Sequence, residues 1–224
     1  MDSFFKNTFY DWNGLNAEFS QFLHLSVSHY DLVSFFDFCS KYLGNYKYFP
    51  LHLLIISSAI FLNIWTKRKI LNKEQLALKK HQFLQTISVL LCSMFILGIV
   101  IMISKETLSF TRPICTENFS LSNYAQLNRH TFFPEYKLLE ECTMSTPSGH
   151  SAYITALVVS LWPRLSRSLK YAGVLLILVI MQARISLGMH FIADTFFGAL
   201  AGLIITLSTQ KICRALLRRL KISA

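Results

Sequence analysis

The sequence predicts an all-α integral membrane protein, a bundle of about five transmembrane helices preceded by an amphipathic interfacial helix. Two properties of the chain lead to this prediction. Hydrophobic residues make up 53% of its 224 residues and charged residues only 15%, which is unlike an ordinary soluble domain. Several uncharged runs are also long enough to cross about 30 Å of hydrocarbon at about 1.5 Å per residue. No Pro, Gly or Ser-rich linker divides the chain, so we expect one membrane domain with terminal extensions.

Residues 1–47 are predicted to form an N-terminal interfacial segment. The stretch 19–43 is rich in aromatic residues but carries five ionisable ones, namely His24, His29, Asp31, Asp37 and Lys41. Such a stretch is a poor transmembrane span and is more typical of a helix lying on one membrane face. A sixth span is the alternative interpretation.

The membrane domain is predicted at residues 48–210, followed by a basic cytoplasmic tail at 211–224. The predicted spans are the uncharged runs 48–66, 82–104, 151–162, 171–183 and 195–210. The last three are short for a bilayer, so their helices are expected to continue into the polar residues beside them.

The orientation follows from the basic residues. Three segments, 67–81, 164–170 and 211–221, contain 14 of the 22 Lys and Arg residues and a single acidic residue, Glu74. The positive-inside rule places them in the cytoplasm. The polar clusters described next then face the other side, which in a bacterium is the periplasm or exterior. Because the excess positive charge flanks the membrane, no nucleic-acid partner is expected.

The first polar cluster is Lys105 with Arg112-Pro113, directly after the second span. Positions seven apart on a helix lie on about the same face, so the two cations are expected to converge on one anion. The alternative is a pair of cations at a helix end whose charged groups reach the membrane interface.

The second cluster is Pro147-Ser148-Gly149-His150, just before an apolar run. Ser148 and Gly149 suit the start of a helix, whose free N–H groups and positive dipole end attract anions. His150 would lie beside the bound group. Helix capping with a surface histidine is the simpler alternative.

The third cluster joins the last two spans. Arg184 ends one span, while His190 and Asp194 begin the next, with Gly188 in the turn between them. Residues four apart share one helix face, so the carboxylate is expected to hold the imidazole in one tautomer. A carboxylate without a partner at the mouth of a span would be costly.

Two cysteines, Cys115 and Cys142, bracket the loop between the first two clusters on the predicted non-cytoplasmic face, where a disulfide can persist. Two unpaired thiols are the alternative. The same loop, residues 114–146, is expected to influence substrate choice because it mixes acidic, basic and tyrosine residues and overhangs the predicted site.

In this order and on successive helix ends, the three clusters resemble the three-part motif of the type 2 phosphatidic acid phosphatase superfamily. The resemblance covers Lys105 to Asp194, and the layout is similar to that of small bacterial undecaprenyl diphosphate phosphatases in this superfamily. One position departs, because Ala183 stands where many members have Ser before the arginine. This departure would remove one hydrogen bond.

The resemblance implies a lipid phosphatase that needs no metal or other cofactor. His190 would attack phosphorus, Asp194 would orient it, and His150 would protonate the leaving oxygen. The implied phosphate-binding residues are Lys105, Arg112, Ser148, Gly149 and Arg184. Candidate substrates are undecaprenyl diphosphate, lipid A and phosphatidylglycerol phosphate, in the membrane of a bacterial cell. A phosphotransferase using the same phosphohistidine and a non-catalytic membrane scaffold are the alternatives.

Overall fold

The computed structural model describes residues 6–29, 32–108, 110–116 and 142–222. Seven α-helices lie within these ranges: α1 (Leu15–His29), α2 (Val33–Phe38), α3 (Phe49–Lys67), α4 (Lys73–Leu108), α5 (Gly149–Leu161), α6 (Arg167–Ser186) and α7 (Ile192–Ile222). Short 3₁₀ or π turns connect several of them. The all-helical prediction is therefore met in the part of the chain that is described.

Four helices in the described ranges are long and apolar enough to cross a membrane. The candidate spans are Tyr46–Lys67, Lys73–Cys115, Arg167–Ser186 and Ile192–Leu216. They contain the predicted spans at 48–66, 82–104, 171–183 and 195–210. The length and apolar composition of these helices indicate an integral membrane protein. Helix α7 continues through residue 210 without a break at the predicted start of the tail.

The predicted span at 151–162 is where the structure differs from the sequence-based expectation. Its helix, α5, has 13 residues and a length of about 20 Å, which is too short to cross the hydrocarbon alone. Ser148 caps its start, and a 3₁₀ turn containing Pro163 follows its last residue. The expected extension into both flanks therefore adds little, because a cap and a proline stop the helix on either side.

The short helix α5 forms the centre of the bundle instead. Ten consecutive residues, from Ser151 to Ser160, are buried, and the helix packs against α4, α6 and α7. A helix that is apolar on all sides is expected to be surrounded by protein. Its central position holds its N-terminal end, with Ser148 and His150, between the other helices.

Two glycines bring α5 and α7 into close contact. A methyl group on Gly198 would overlap the carbonyl oxygen of Ser148, and one on Gly202 would overlap that of Ala152. The two glycines are four residues apart, a spacing that lets helix backbones approach closely inside a membrane. The contact sets the position of Ser148 relative to the start of α7.

The N-terminal segment packs on the bundle with its polar side inward. Asn16, Ser20 and His24 recur every fourth residue of α1 and are buried, whereas Phe19 and Phe22 are exposed. Helix α1 contacts α6 and α7, and α2 contacts α6. Apolar residues facing outward suit contact with lipid, while the buried polar stripe faces the turn between α6 and α7.

We expect Gly198→Ala to destabilise the protein, because its added methyl group overlaps the backbone of α5. Overpacking of this kind costs about 1 to 3 kcal/mol, so thermal unfolding in detergent, followed by circular dichroism, should begin at a lower temperature. Gly98→Ala is the matched control, since Gly98 lies in α4 with no neighbouring atom within 4 Å of the added carbon. Equal melting temperatures for the two variants would contradict the close contact of α5 and α7.

Candidate active site

The three predicted clusters meet at one end of the bundle. Lys105 lies in the last turn of α4 and Arg184 in the last turn of α6, whereas α5 and α7 begin at this end. Backbone hydrogen bonds join the segments, from Ser148 N to the Asp194 carbonyl oxygen at 2.9 Å and from Ile114 N to that of Gly188 at 2.9 Å. The site is thus built from four helix ends and two connecting segments.

The positive charges converge on the two histidines. Three cations, Lys105, Arg112 and Arg184, act electrostatically on both His150 and His190. The two imidazoles also act on each other. Charges from residues far apart in the sequence therefore act on the same two rings, as an anion-binding site requires.

The arrangement of Lys105 and Arg112 differs from the predicted helical register. Helix α4 ends at Leu108, and Arg112 has the extended backbone angles φ −72° and ψ 148°. Arg112 donates its backbone N–H to the Cys142 carbonyl oxygen at 2.7 Å. Pro113 favours this extended conformation in the residue before it. The two cations therefore act on the same histidines without sharing a helix face.

The imidazole of His190 is 1% exposed and lies two residues before α7 begins. Burial lowers the pKa of His190 well below its ordinary value. The positive charges around the ring act in the same direction, and they belong to Arg112, Arg184 and Lys105. A lowered pKa leaves the imidazole uncharged at neutral pH, with a lone pair available for nucleophilic attack.

Asp194 is fully buried and accepts four hydrogen bonds from the described residues. Oδ1 accepts from the hydroxyl of Tyr10 at 2.7 Å and from that of Thr146. Oδ2 accepts from the Ser145 hydroxyl at 2.5 Å and from the backbone N–H of Phe191 at 2.8 Å. These donors offset the cost of burying the carboxylate.

The expected pairing of His190 with Asp194 is looser than a hydrogen bond. Nδ1 of His190 lies 3.6 Å from Oδ2 of Asp194, and this nitrogen has no hydrogen-bond partner among the described residues. The two residues do not lie on one helix, because His190 precedes α7. The carboxylate oxygen still lies beside Nδ1 of the ring.

The start of α5 has the features of an anion site, and Ser148 caps this helix as the sequence predicted. Its side-chain oxygen accepts from the N–H of Ser151 at 3.5 Å and from the Ser151 hydroxyl at 3.2 Å. Ser148 is fully buried, so its direct contact with a phosphate stays a prediction. Gly149 and His150 form the first turn of the helix, where the dipole is positive.

Several side chains that hold the site in place were missed at the level of sequence. Ser40 accepts from Nη1 of Arg184 at 2.8 Å. Ser20 accepts from the backbone N–H of Ile192 at 3.1 Å, and Asn16 from that of Ala193 at 3.0 Å. In α1, polar residues recur at every fourth position. This pattern could have predicted these contacts, because a polar stripe on an aromatic-rich helix indicates buried hydrogen-bond partners.

Cys115 and Cys142 form a disulfide, with Cα atoms 5.9 Å apart. The bond ties the segment containing Arg112 to the one that leads into Ser145 and Thr146. The rest of the loop expected to influence substrate choice, residues 117–141, lies outside the described residues. Within the described ranges, no group of three or more His, Cys, Asp or Glu side chains has the spacing of a metal site.

The sequence pattern of the PAP2 superfamily matches residues 86–216, more than half of the chain. The chain therefore belongs to this superfamily, which confirms the resemblance. Its fold is similar to the crystal structure of Aquifex aeolicus LpxE, with a TM-score of 0.62 and 22% identity over 88% of this chain and 95% of that one. No curated protein matches the chain. Membership of this family supports a membrane lipid phosphatase in general, and the structural similarity shows a shared fold.

The lowered pKa of His190 predicts the pH dependence of phosphate release. As the predicted nucleophile, the His190 imidazole should stay uncharged until the pH falls below about 6.5, the ordinary pKa of histidine. The acidic limb of kcat/KM, which reports the free enzyme, should therefore lie below that value. The rates must be corrected for the ionisation of the substrate phosphate. That ionisation can be measured by ³¹P NMR in the same micelles. A corrected limb at or above 6.5 would contradict the proposed environment of His190.

Proposed function

We propose that this protein hydrolyses a phosphate ester or diphosphate of a membrane lipid through a phosphohistidine intermediate at the non-cytoplasmic face. One observation carries the proposal, namely that the charges of three cations act on the buried imidazole of His190, whose Nδ1 lies 3.6 Å from Oδ2 of Asp194. Undecaprenyl diphosphate, lipid A and phosphatidylglycerol phosphate are the proposed substrates.

In the first step the lone pair on Nε2 of His190 attacks phosphorus, and the bond from phosphorus to the leaving oxygen breaks. His150 donates its proton to that oxygen. The bound phosphate itself favours the protonated form of His150, because a negative charge nearby stabilises the imidazolium. Asp194 offsets the positive charge that His190 gains when it is phosphorylated.

In the second step water attacks the phosphorus of the phosphohistidine and His150 accepts a proton from it. The phosphorus–nitrogen bond breaks, its electrons return to Nε2, and inorganic phosphate leaves. Lys105, Arg112 and Arg184 stabilise the charge on the phosphoryl oxygens throughout, which is usually the largest catalytic contribution. These groups supply nucleophile, acid, base and charge stabilisation, so the proposed reaction needs no metal.

The proposed orientation in the membrane rests on the basic residues at the other end of the bundle. Arg164 lies between α5 and α6 and Arg167 is the first residue of α6, so both are at the end of the bundle opposite the site. The positive-inside rule assigns that end to the cytoplasm. The Cys115–Cys142 disulfide near the site also suits an oxidising compartment, such as a periplasm or the cell exterior.

The mechanism predicts that His190→Ala loses lipid phosphatase activity by about 10⁴-fold or more, because the nucleophile is removed. Phosphate release from a panel of lipid phosphates, with purified protein in detergent and EDTA, is the measurement. His81→Ala is the control and should keep wild-type activity, since His81 lies in the N-terminal part of α4, far along the helix from Lys105.

Three outcomes would count against the proposal. Wild-type activity in His190→Ala would exclude this nucleophile, and loss of wild-type activity on chelation would exclude the metal-free reaction. Transfer of the phosphoryl group to an added alcohol in preference to water would assign the protein as a phosphotransferase.

The topology predicts that a reporter fused after Lys73 is cytoplasmic and one fused near Asn128 is external. Paired alkaline phosphatase and green fluorescent protein fusions at each position test this, because the first is active outside and the second fluoresces inside. The reverse pattern would place the site in the cytoplasm and change the set of substrates.

A further inference from the structure

Tyr10, which lies outside the part of the chain matched by the superfamily, contacts the centre of the site. Its hydroxyl donates to Oδ1 of Asp194 at 2.7 Å, across 184 positions of sequence. Of the four donors to this carboxylate, the other three come from Ser145, Thr146 and Phe191, within the matched residues 86–216. The N-terminal segment therefore supplies one of the groups around Asp194.

The ring of Tyr10 is held firmly in this position. It stacks on Phe110 with ring centroids 3.9 Å apart and an interplanar angle of 4°, and it meets Phe191 edge-on at 6.5 Å. Tyr10 is 8% exposed. Burial, and after it the negative charge of Asp194, raise the pKa of Tyr10, so its hydroxyl stays protonated and can donate. Packing thus fixes both the place and the direction of this donor.

The backbone around Asp194 is held by the same N-terminal segment. The N–H groups of Ile192 and Ala193 in the first turn of α7 donate to Ser20 and Asn16 of α1. A ring nitrogen of His24 lies 2.6 Å from the Ser186 carbonyl oxygen at the end of α6. These hydrogen bonds fix the backbone at both ends of the turn that carries His190. Tyr10 therefore orients only the side chain of Asp194.

The two carboxylate oxygens have different neighbours. Oδ1 is held by Tyr10 and Thr146, whereas Oδ2 lies 3.6 Å from Nδ1 of His190. When Nε2 forms its bond to phosphorus, the ring becomes positively charged and its Nδ1–H needs an acceptor. With Oδ1 held by its two donors, Oδ2 is the carboxylate oxygen that lies beside this N–H and can accept from it.

We propose that Tyr10 is a positioning residue, whose hydroxyl holds Oδ1 of Asp194 so that Oδ2 faces His190. This inference rests on the proposed phosphohistidine function. It makes the N-terminal segment a working part of the active site as well as a part of the membrane-facing surface.

The test is Tyr10→Phe, which removes the hydroxyl and keeps the ring between Phe110 and Phe191. We expect kcat for lipid phosphate hydrolysis to fall about 10-fold, as is common when a supporting hydrogen bond is lost. KM should change less than about twofold, because Tyr10 carries no phosphate-binding charge. The variant removes one hydrogen-bond donor that favours the ionised form of Asp194. The carboxylate then becomes protonated at a higher pH, so the acidic limb of kcat should move to higher pH.

Tyr46→Phe is the matched control. It removes the same hydroxyl from the same N-terminal segment at a side chain that is 61% exposed, so kcat and its pH profile should stay at wild-type values. Melting temperatures of both variants in detergent separate positioning from folding.

Unchanged kcat and pH profile in Tyr10→Phe would overturn the inference. So would a lower kcat accompanied by a lower melting temperature and an unchanged pH profile, because that combination assigns Tyr10 to folding alone. In both cases wild-type activity and its loss in His190→Ala would leave the proposed function standing. Absence of wild-type activity toward every lipid phosphate tested would instead contradict the proposed function itself, and the inference with it.

Discussion

The buried carboxylate of Asp194 is the constraint on which the rest of the site depends. A charge with no exposure to water is costly unless hydrogen-bond donors surround it. Four donors do so here, from the N-terminal segment, the residues before α5 and the residue before α7. Satisfying this single group therefore requires three separate parts of the chain to meet, and the same meeting places His190 among the cations.

Local helix chemistry explains why the carboxylate lies at this position. Asp194 is in the first turn of α7, where the positive end of the helix dipole stabilises an acidic side chain. It also reaches back to the N–H of Phe191, the residue before the helix, in the manner of a capping box. The residue thus contributes to the start of the helix and to the orientation of the imidazole.

Backbone contact between α5 and α7 turns these local features into one site. The glycines of α7 let the carbonyl groups of α5 come close, and the N–H of Ser148 then reaches the Asp194 carbonyl oxygen. A bulkier helix face would separate the start of α5 from the start of α7. The start of α5 would then no longer lie beside the segment that carries His190.

The sequence by itself determined the class of protein, four of the spans, the family and the positions of the three polar clusters. These properties depend on composition and on residues within about ten positions of one another, which a single sequence displays directly. The tertiary structure alone decided the central place of α5 and the contacts of Asp194 with Tyr10, Ser145 and Thr146. Such contacts join residues 48 to 184 positions apart, and no local pattern of apolar or charged residues specifies which distant partner a buried polar group will meet.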